Sequence, residues 1–247
     1  GSEMCIRDRL SGQTALVTGG GTGIGRAIAI DLAAAGANVV VCGRRMEPLE
    51  ETVQAVNHSS GVASAVICDL TDPEAIESCA FALLSEHGTV DILINNAGFS
   101  SVVRSVRYID ADEWRGVMDV NTMGPAMMTR ALRQPMVDQG RGDIVMIASM
   151  AGVNPSVMAG SVYSAAKTAA RVYMNILAQE MRPHGIRAIT VSPGEVDTPI
   201  MDNRPLVPDA ETRARMMMPE DISAAVLMAV TLPRRAMVSE IHIGATD

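Results

Sequence analysis

Two hydrophobic periods alternate along this chain. Short runs that are apolar at nearly every position are followed by longer stretches in which apolar residues recur every three to four positions. The first run, Gln13-Thr14-Ala15-Leu16-Val17-Thr18, leads through a cluster of glycines into an amphipathic stretch from Arg26 to Ala35 that Gly36 stops. The pattern then repeats, predicting strands at Asn38–Cys42, Val62–Cys68, Val90–Ile94, Asp143–Ala148, Ile186–Val191 and Glu240–Ile243. Helices are predicted between them at Pro48–Val56, Pro73–Glu86, Asp112–Asp138, Val162–Met181 and Glu220–Thr231. A strand with one wet face alternates apolar and polar residues, so nearly unbroken apolar strands separated by helices predict a parallel sheet covered on both faces. The fold class expected is α/β, a single doubly wound parallel sheet of about seven strands. Residues 10–247 read as one domain without linker or repeat, and residues 1–9, which open on Gly-Ser, read as a tag remnant or non-native tail.

Composition changes this picture in few places. Aromatic residues make up 2% of the chain while methionine reaches 18, so the core is filled by aliphatic and thioether side chains. A net charge of -8 argues against nucleic acid or an anionic membrane as the main partner. Cys5, Cys42, Cys68 and Cys79 have no paired metal-ligand spacing, and His58, His87, His184 and His242 stand apart from one another. No metal site and no histidine base is assigned on that basis, and a reduced, cytoplasmic protein is expected. No apolar run approaches the length of a membrane span.

Chemistry enters at the glycine cluster Gly19-Gly20-Gly21-Thr22-Gly23-Ile24-Gly25. A backbone that must bend tightly and approach a pyrophosphate cannot carry Cβ atoms there, and the helix that follows offers free N–H groups and its dipole to an anion. Position directly after an N-terminal strand and before a helix makes this a dinucleotide signal. Farther on, Ser149 follows the run Ile144-Val145-Met146-Ile147-Ala148, at the carboxyl end of a predicted strand, where open α/β sheets bind ligands. Tyr163 and Lys167 are four residues apart in a predicted helix and so share a face. Unit charges about 4 Å apart at an effective dielectric near 20 interact by about 4 kcal/mol, or roughly three pKa units. Such a shift would bring a phenol into working range.

Together, Thr18-Gly19-x-x-x-Gly23-Ile24-Gly25, Asn95-Asn96-Ala97-Gly98, Ser149, Tyr163-x-x-x-Lys167 and Pro193-Gly194 occur in an order that resembles the short-chain dehydrogenase/reductases. The resemblance runs from about residue 11 onward and implies a Rossmann-like NAD(P)-dependent oxidoreductase. By it, Tyr163 is the acid–base, Ser149 binds the reacting oxygen, Lys167 binds the nicotinamide ribose and lowers the Tyr163 pKa, and Asn121 anchors a water-linked relay to Lys167. It further implies that Gly19, Gly21, Thr22, Gly23 and Ile24 cradle the cofactor and that Asp69 with Leu70 meets the adenine. Asn95, Ala97 and Gly98 would line the cofactor, while Pro193, Gly194, Val196 and Thr198 would hold the carboxamide.

Cofactor choice is read at the end of the second strand. An NAD site usually carries an acid there for the ribose 2′-hydroxyl, and this chain has Gly43 followed by Arg44 and Arg45, which suits the 2′-phosphate of NADP(H). Glu47 is the nearest competing partner for those arginines. The long Pro-interrupted stretch Glu195–Met218 reads as a substrate lid, with Arg204, Arg213 and Arg215 available to a substrate carboxylate. Helix Val162–Met181 is apolar nearly all round, so one side is expected on the sheet and the other on a second subunit, in a dimer or tetramer. The function expected is NADP(H)-dependent interconversion of a small apolar ketone or aldehyde and its alcohol. The runner-up is 3-oxoacyl thioester reduction, and a non-catalytic dinucleotide-binding sensor or scaffold is the reading from another class.

Overall fold

The computed structural model describes residues 9–246, so of the expected tail only Arg9 is seen. Seven parallel strands form one sheet in the order β3-β2-β1-β4-β5-β6-β7: β1 Thr14–Thr18, β2 Asn38–Gly43, β3 Val62–Ile67, β4 Ile92–Asn95, β5 Gly142–Ile147, β6 Ile186–Pro193 and β7 Glu240–Ile243. Successive side chains of a strand point to opposite faces, and both faces here are dry. Ala15 and Val17 of β1 join a core with Ile28, Leu32, Leu49, Val226 and Val230, whereas Leu16 joins another with Ile76, Leu83, Met128, Leu132 and Met174. The first core lies under α1 Gly23–Ala34, α2 Met46–His58 and α8 Pro219–Thr231. The second lies under α3 Pro73–His87, α5 Gly124–Gln139 and α6 Ser161–Met181, and takes most of the buried thioethers. The doubly wound Rossmann-like sheet read from the periodicity is therefore the fold.

The chain departs from the expected elements in two places. The helix predicted over Asp112–Asp138 is broken into α4 Ala111–Met118, a wide π turn at Asp119–Met123, and α5. Single π turns interrupt helices mostly at functional sites. Here the turn buries Asn121, whose Nδ2 donates to the carbonyls of Val117 and Phe99 at 2.9 and 3.0 Å. After β6, the expected irregular stretch holds a short 3₁₀ turn at Pro199–Asn203 and one turn of helix, α7 Ala210–Arg213. It is stitched back by a parallel bridge between Val196 and Met217.

The two ends of the sheet do different work. At the amino ends of β5 and β6, the buried Asp143 carboxylate receives Arg187 Nε and Nη2 at 2.5 and 2.9 Å and is joined by Arg234, while Arg187 also reaches the carbonyls of Val230 and Leu232 at the end of α8. That network ties the last helix to the sheet. At the carboxyl ends, β1 and β4 are neighbours whose following segments run to opposite sides, and the crevice left between them is where open α/β sheets bind ligands. No helix among the described residues is long and apolar enough to cross a membrane.

Candidate active site

The crevice is held open by a clasp. Thr18 Oγ1 accepts the backbone N–H groups of Asn96 and Ala97, both at 3.0 Å, and donates to the carbonyl of Ile94, while Asn96 Nδ2 donates to the carbonyl of Thr18 at 2.9 Å. Beneath it the glycine turn closes so tightly that a Cβ on Gly25 would lie 2.3 Å from the carbonyl oxygen of Gly19. Arg26 fixes the turn from the other side, donating to Gly21 O and Thr52 Oγ1 and pairing with Glu51. The first turn of α1 carries no acidic residue and no side-chain cap, so its N–H groups are left to an incoming anion.

Two cavities flank this point. One of about 390 Å³ is lined by Gly19, Gly21, Thr22, Gly23 and Ile24 of the turn, by Arg44 and Arg45 after β2, by Asp69 and Leu70 after β3, and by Ala97 and Gly98 after β4. The other, about 260 Å³, is lined by Ser149, Tyr163 and Lys167 together with Pro193, Gly194 and Val196. Ile24, Gly98, Thr198 and Ile200 belong to both, so the cavities adjoin there. Two expected residues lie elsewhere. Asn95 is buried inside β4 with its amide on Thr129 Oγ1 at 3.1 Å, and its neighbour Asn96 takes the place on the cavity wall. Asn121 lies behind the wall, at Gly98: a Cβ on that glycine would lie 2.6 Å from Asn121 Oδ1 and 3.2 Å from Lys167 Nζ. Asn121 Oδ1 is buried without a partner among the described residues, and Lys167 Nζ donates to the carbonyl of Ile147 at 3.0 Å.

The electrostatics of the second cavity differ from the expectation. Burial pushes the Tyr163 phenol above its ordinary value, and what pulls the other way is the Ser149 hydroxyl beside it and the charges of Arg104 and Arg204. Lys167 sits 5.7 Å from the centre of the Tyr163 ring with its hydrogen bond turned to Ile147, and burial pulls its own pKa from 10.5 to about 8. Lys167 is not among the groups that lower the Tyr163 phenol in this geometry: it is still a cation at neutral pH, but its hydrogen bond is turned to Ile147.

The lid reading is met in part. Pro199, Ile200 and Met201 follow Thr198 at the cavities, but Met216 and Met217 are buried, with Met217 pairing to Glu195 and Asp197, and Leu206 and Val207 face solvent. Of the three arginines named there, Arg213 is bound to Asp197 and Asp202 and Arg215 to Glu211, leaving Arg204 on the cavity wall. Arg44 and Arg45 are exposed at the rim of the first cavity, and neither pairs with Glu47 among the described residues. The sequence reading missed three things. Arg26 and Arg104 carry no motif, and the scattered cysteines converge, with Cys42 and Cys68 on the wall of the first cavity.

A glycine cradle, an uncapped helix start and a Ser–Tyr–Lys set at the carboxyl edge of a parallel sheet define a dinucleotide-fold oxidoreductase. The chain belongs to the short chain dehydrogenase family, whose pattern it matches over residues 13–206. It is 33% identical over 234 residues to an uncharacterized oxidoreductase of Staphylococcus aureus (strain USA300), covering 95% of this chain and 97% of that one. Among solved structures it is similar to a metagenomic short-chain oxidoreductase in complex with NADP, at 32% identity and a TM-score of 0.85, over 97% of this chain and all of that one. It is also similar to a short-chain type dehydrogenase/reductase from Mycobacterium marinum, at 32% identity and a TM-score of 0.87, over 96% of each chain.

Holding Lys167 in a dry site costs stability, and the sign can be followed. Its folded pKa of about 8 lies below its ordinary 10.5, so the penalty is full below pH 8 and disappears as pH rises past 10.5. A shift of that size is worth about 3 kcal/mol, from which the lost hydrogen bond to Ile147 removes about 1 kcal/mol. Lys167→Met is therefore expected to raise stability in urea unfolding by about 1–2 kcal/mol at pH 7, and the gain is expected to vanish near pH 11. A variant less stable than the parent at pH 7 would contradict this.

Proposed function

We propose that this protein interconverts ketones or aldehydes and their alcohols with NADP(H). The observation that carries the reading is that the two cavities adjoin at Ile24, Gly98, Thr198 and Ile200, which sets the glycine-lined cleft beside Ser149, Tyr163 and Lys167. The residues present fit that cofactor: the turn Gly19–Ile24 and the free N–H groups of α1 suit a pyrophosphate, Asp69 and Leu70 suit the adenine, and Arg44 and Arg45 suit a 2′-phosphate. Lys167 has donors to spare for ribose hydroxyls, and Pro193, Gly194, Val196 and Thr198 suit the carboxamide. When bound, the dinucleotide supplies or accepts the hydride.

The chain's own part is to bind the reacting oxygen and move its proton. Ser149 donates to the substrate oxygen and steadies the negative charge that grows on it. Tyr163 gives that oxygen its proton in reduction and takes it back in oxidation. Lys167 Nζ and the unpartnered Oδ1 of Asn121 lie on the same side of Gly98, and they are the groups through which the proton is returned from solvent. Because burial raises the Tyr163 pKa, the phenol keeps its proton through neutral pH, which suits reduction, and oxidation must wait for the phenolate. Tyr163→Phe is expected to lower turnover by about two to four orders of magnitude with cofactor affinity little changed. In the parent enzyme the alcohol-oxidation rate is expected to climb with pH by up to roughly tenfold per unit while ketone reduction does not climb. Wild-type turnover in the Phe variant would remove Tyr163 from the mechanism.

The preference for NADP(H) rests on Arg44 and Arg45, which form no ion pair among the described residues, Arg44 acting on Asp69 only through space, and a similar protein solved with NADP points the same way. A preference of at least roughly tenfold in kcat/KM for NADPH over NADH needs about 1.4 kcal/mol, less than one charge-assisted hydrogen bond supplies. Replacing both arginines with Ala is expected to erase most of it through KM for NADPH. Equal use of both cofactors by the parent would overturn the assignment.

Assembly into a dimer or tetramer is supported by α6, where Ala170, Met174 and Leu177 are buried against the sheet while Val172 and Ile176 stay more than half exposed. Light scattering is expected to give a multiple of the chain mass, and a monomer alone at micromolar concentration would end this reading.

A further inference from the structure

Arg104, in the segment between β4 and α4, lines the cavity that holds Ser149 and Tyr163. Its guanidinium is fixed there: Nη1 donates to Ser100 Oγ at 2.6 Å and to the carbonyl of Ala159 at 2.7 Å. Its stem lies against Gly160, which has a positive φ of 82° and whose Cβ, if present, would be 3.0 Å from Arg104 Cδ. The carboxylate of Glu113 acts on it only through space and is engaged by the Ser101 hydroxyl. Among the described residues no carboxylate comes within ion-pair reach of Arg104, whereas Arg171, Arg187, Arg204 and Arg213 each lie against one. Nε of Arg104 is buried and has no acceptor among the described residues. Burial, and then the charge of Arg204, push its pKa below the ordinary arginine value, while Tyr163 and Glu113 act in the other direction.

The balance of the whole cavity points the same way. Its charged lining groups are Arg104, Arg204, Lys167 and Glu195, three cations to one carboxylate, and Glu195 is already taken by Arg204 at 2.6 Å. A neutral, apolar substrate would leave the half-buried Arg104 charge on the cavity wall with no carboxylate in contact. We propose that the substrate carries a carboxylate, which Arg104 receives with Arg204 beside it, so that the reaction interconverts an oxo acid and a hydroxy acid. The proposal rests on the carbonyl-reductase reading above. In reduction the carbonyl carbon gains a hydride and its oxygen gains the Tyr163 proton, the reduced dinucleotide is oxidised, and the carboxylate passes through unchanged. Arg204 is the one lid arginine that reaches this site, and Arg104 is a specificity-determining residue with no part in the proton transfer.

The test compares an oxo acid with its methyl ester, 4-oxopentanoate against methyl 4-oxopentanoate, in the parent and in Arg104→Gln and Arg104→Lys. The parent is expected to favour the acid in kcat/KM, and Arg104→Gln to cut the acid-to-ester ratio by roughly tenfold to a hundredfold through KM for the acid, with Arg104→Lys recovering part of it. A parent that prefers the ester, or a Gln variant that loses both substrates in equal proportion, would overturn the proposal and leave Arg104 as a clamp on the Ala159–Gly160 backbone. Calorimetric titration of the NADP-loaded protein with pentanoate, which cannot react, separates this failure from that of the reaction itself. Binding that Arg104→Gln weakens supports the carboxylate site even if neither oxo compound is turned over, and absence of pentanoate binding to the parent sinks it.

Discussion

The site depends on a parting of the chain. A parallel sheet forces each strand to be followed by a crossover, and where neighbouring strands send their crossovers to opposite faces no connection can cover the sheet edge. Here that place lies between β1 and β4, and the Thr18 hydroxyl with the Asn96 amide clasps the two strand ends so that the crevice keeps one width. The glycine turn after β1 and the Ala97–Gly98 backbone after β4 then face each other by construction. Ser149 after β5 and the backbone after β6 extend the same edge, and α6, packed on β6, brings Tyr163 and Lys167 over it. Loosening the clasp would disturb both cavities at once, although neither of its side chains need touch the reacting atoms.

The second organising fact is dryness. Lys167 is almost wholly buried with one backbone carbonyl as partner, burial raises the Tyr163 pKa, and Arg104 is half-buried with no carboxylate in ion-pair reach among the described residues. Each state costs folding free energy that the two cores must supply, and each is what a site needs if charge is to change on a substrate oxygen away from water. The Asp143–Arg187–Arg234 network at the opposite end of the sheet shows the contrasting use of charge: there every group is paired and nothing is left for a ligand.

Most of the fold was legible because both faces of the sheet are dry, which makes the strands continuous apolar runs and the helices amphipathic. The predicted strand Glu240–Ile243 and the helix starting at Pro73 coincide with the observed elements. The π turn at Asp119–Met123 was not legible, since its cause is a tertiary one: Asn121 is buried behind Gly98, and Gly124 is packed against the carbonyl of Leu70. At the site, groups whose roles follow from local spacing were found, namely the glycine turn, Ser149, Tyr163 and Lys167. Groups whose roles come from long-range contact were misplaced or missed. Asn95 and Asn96 exchange places because alternation along a four-residue strand decides which one faces the crevice. Arg104 looks like any loop arginine until Ala159, fifty-five positions later, is seen to hold it. Spacing put Lys167 near Tyr163 but says nothing of the burial that lowers its pKa or of its hydrogen bond to Ile147.

The reaction proposed for the adjoining cavities passes a hydride between a dinucleotide and a carbonyl carbon. The most direct measurement supplies NADPH carrying deuterium at the transferring position of its nicotinamide ring, with a ketone, and examines the alcohol by mass spectrometry and NMR. One deuterium on the carbinol carbon, in proportion to the NADPH consumed, is the predicted result. An alcohol with hydrogen at that carbon, or NADPH left unoxidised across neutral and acidic carbonyl compounds alike, would contradict it.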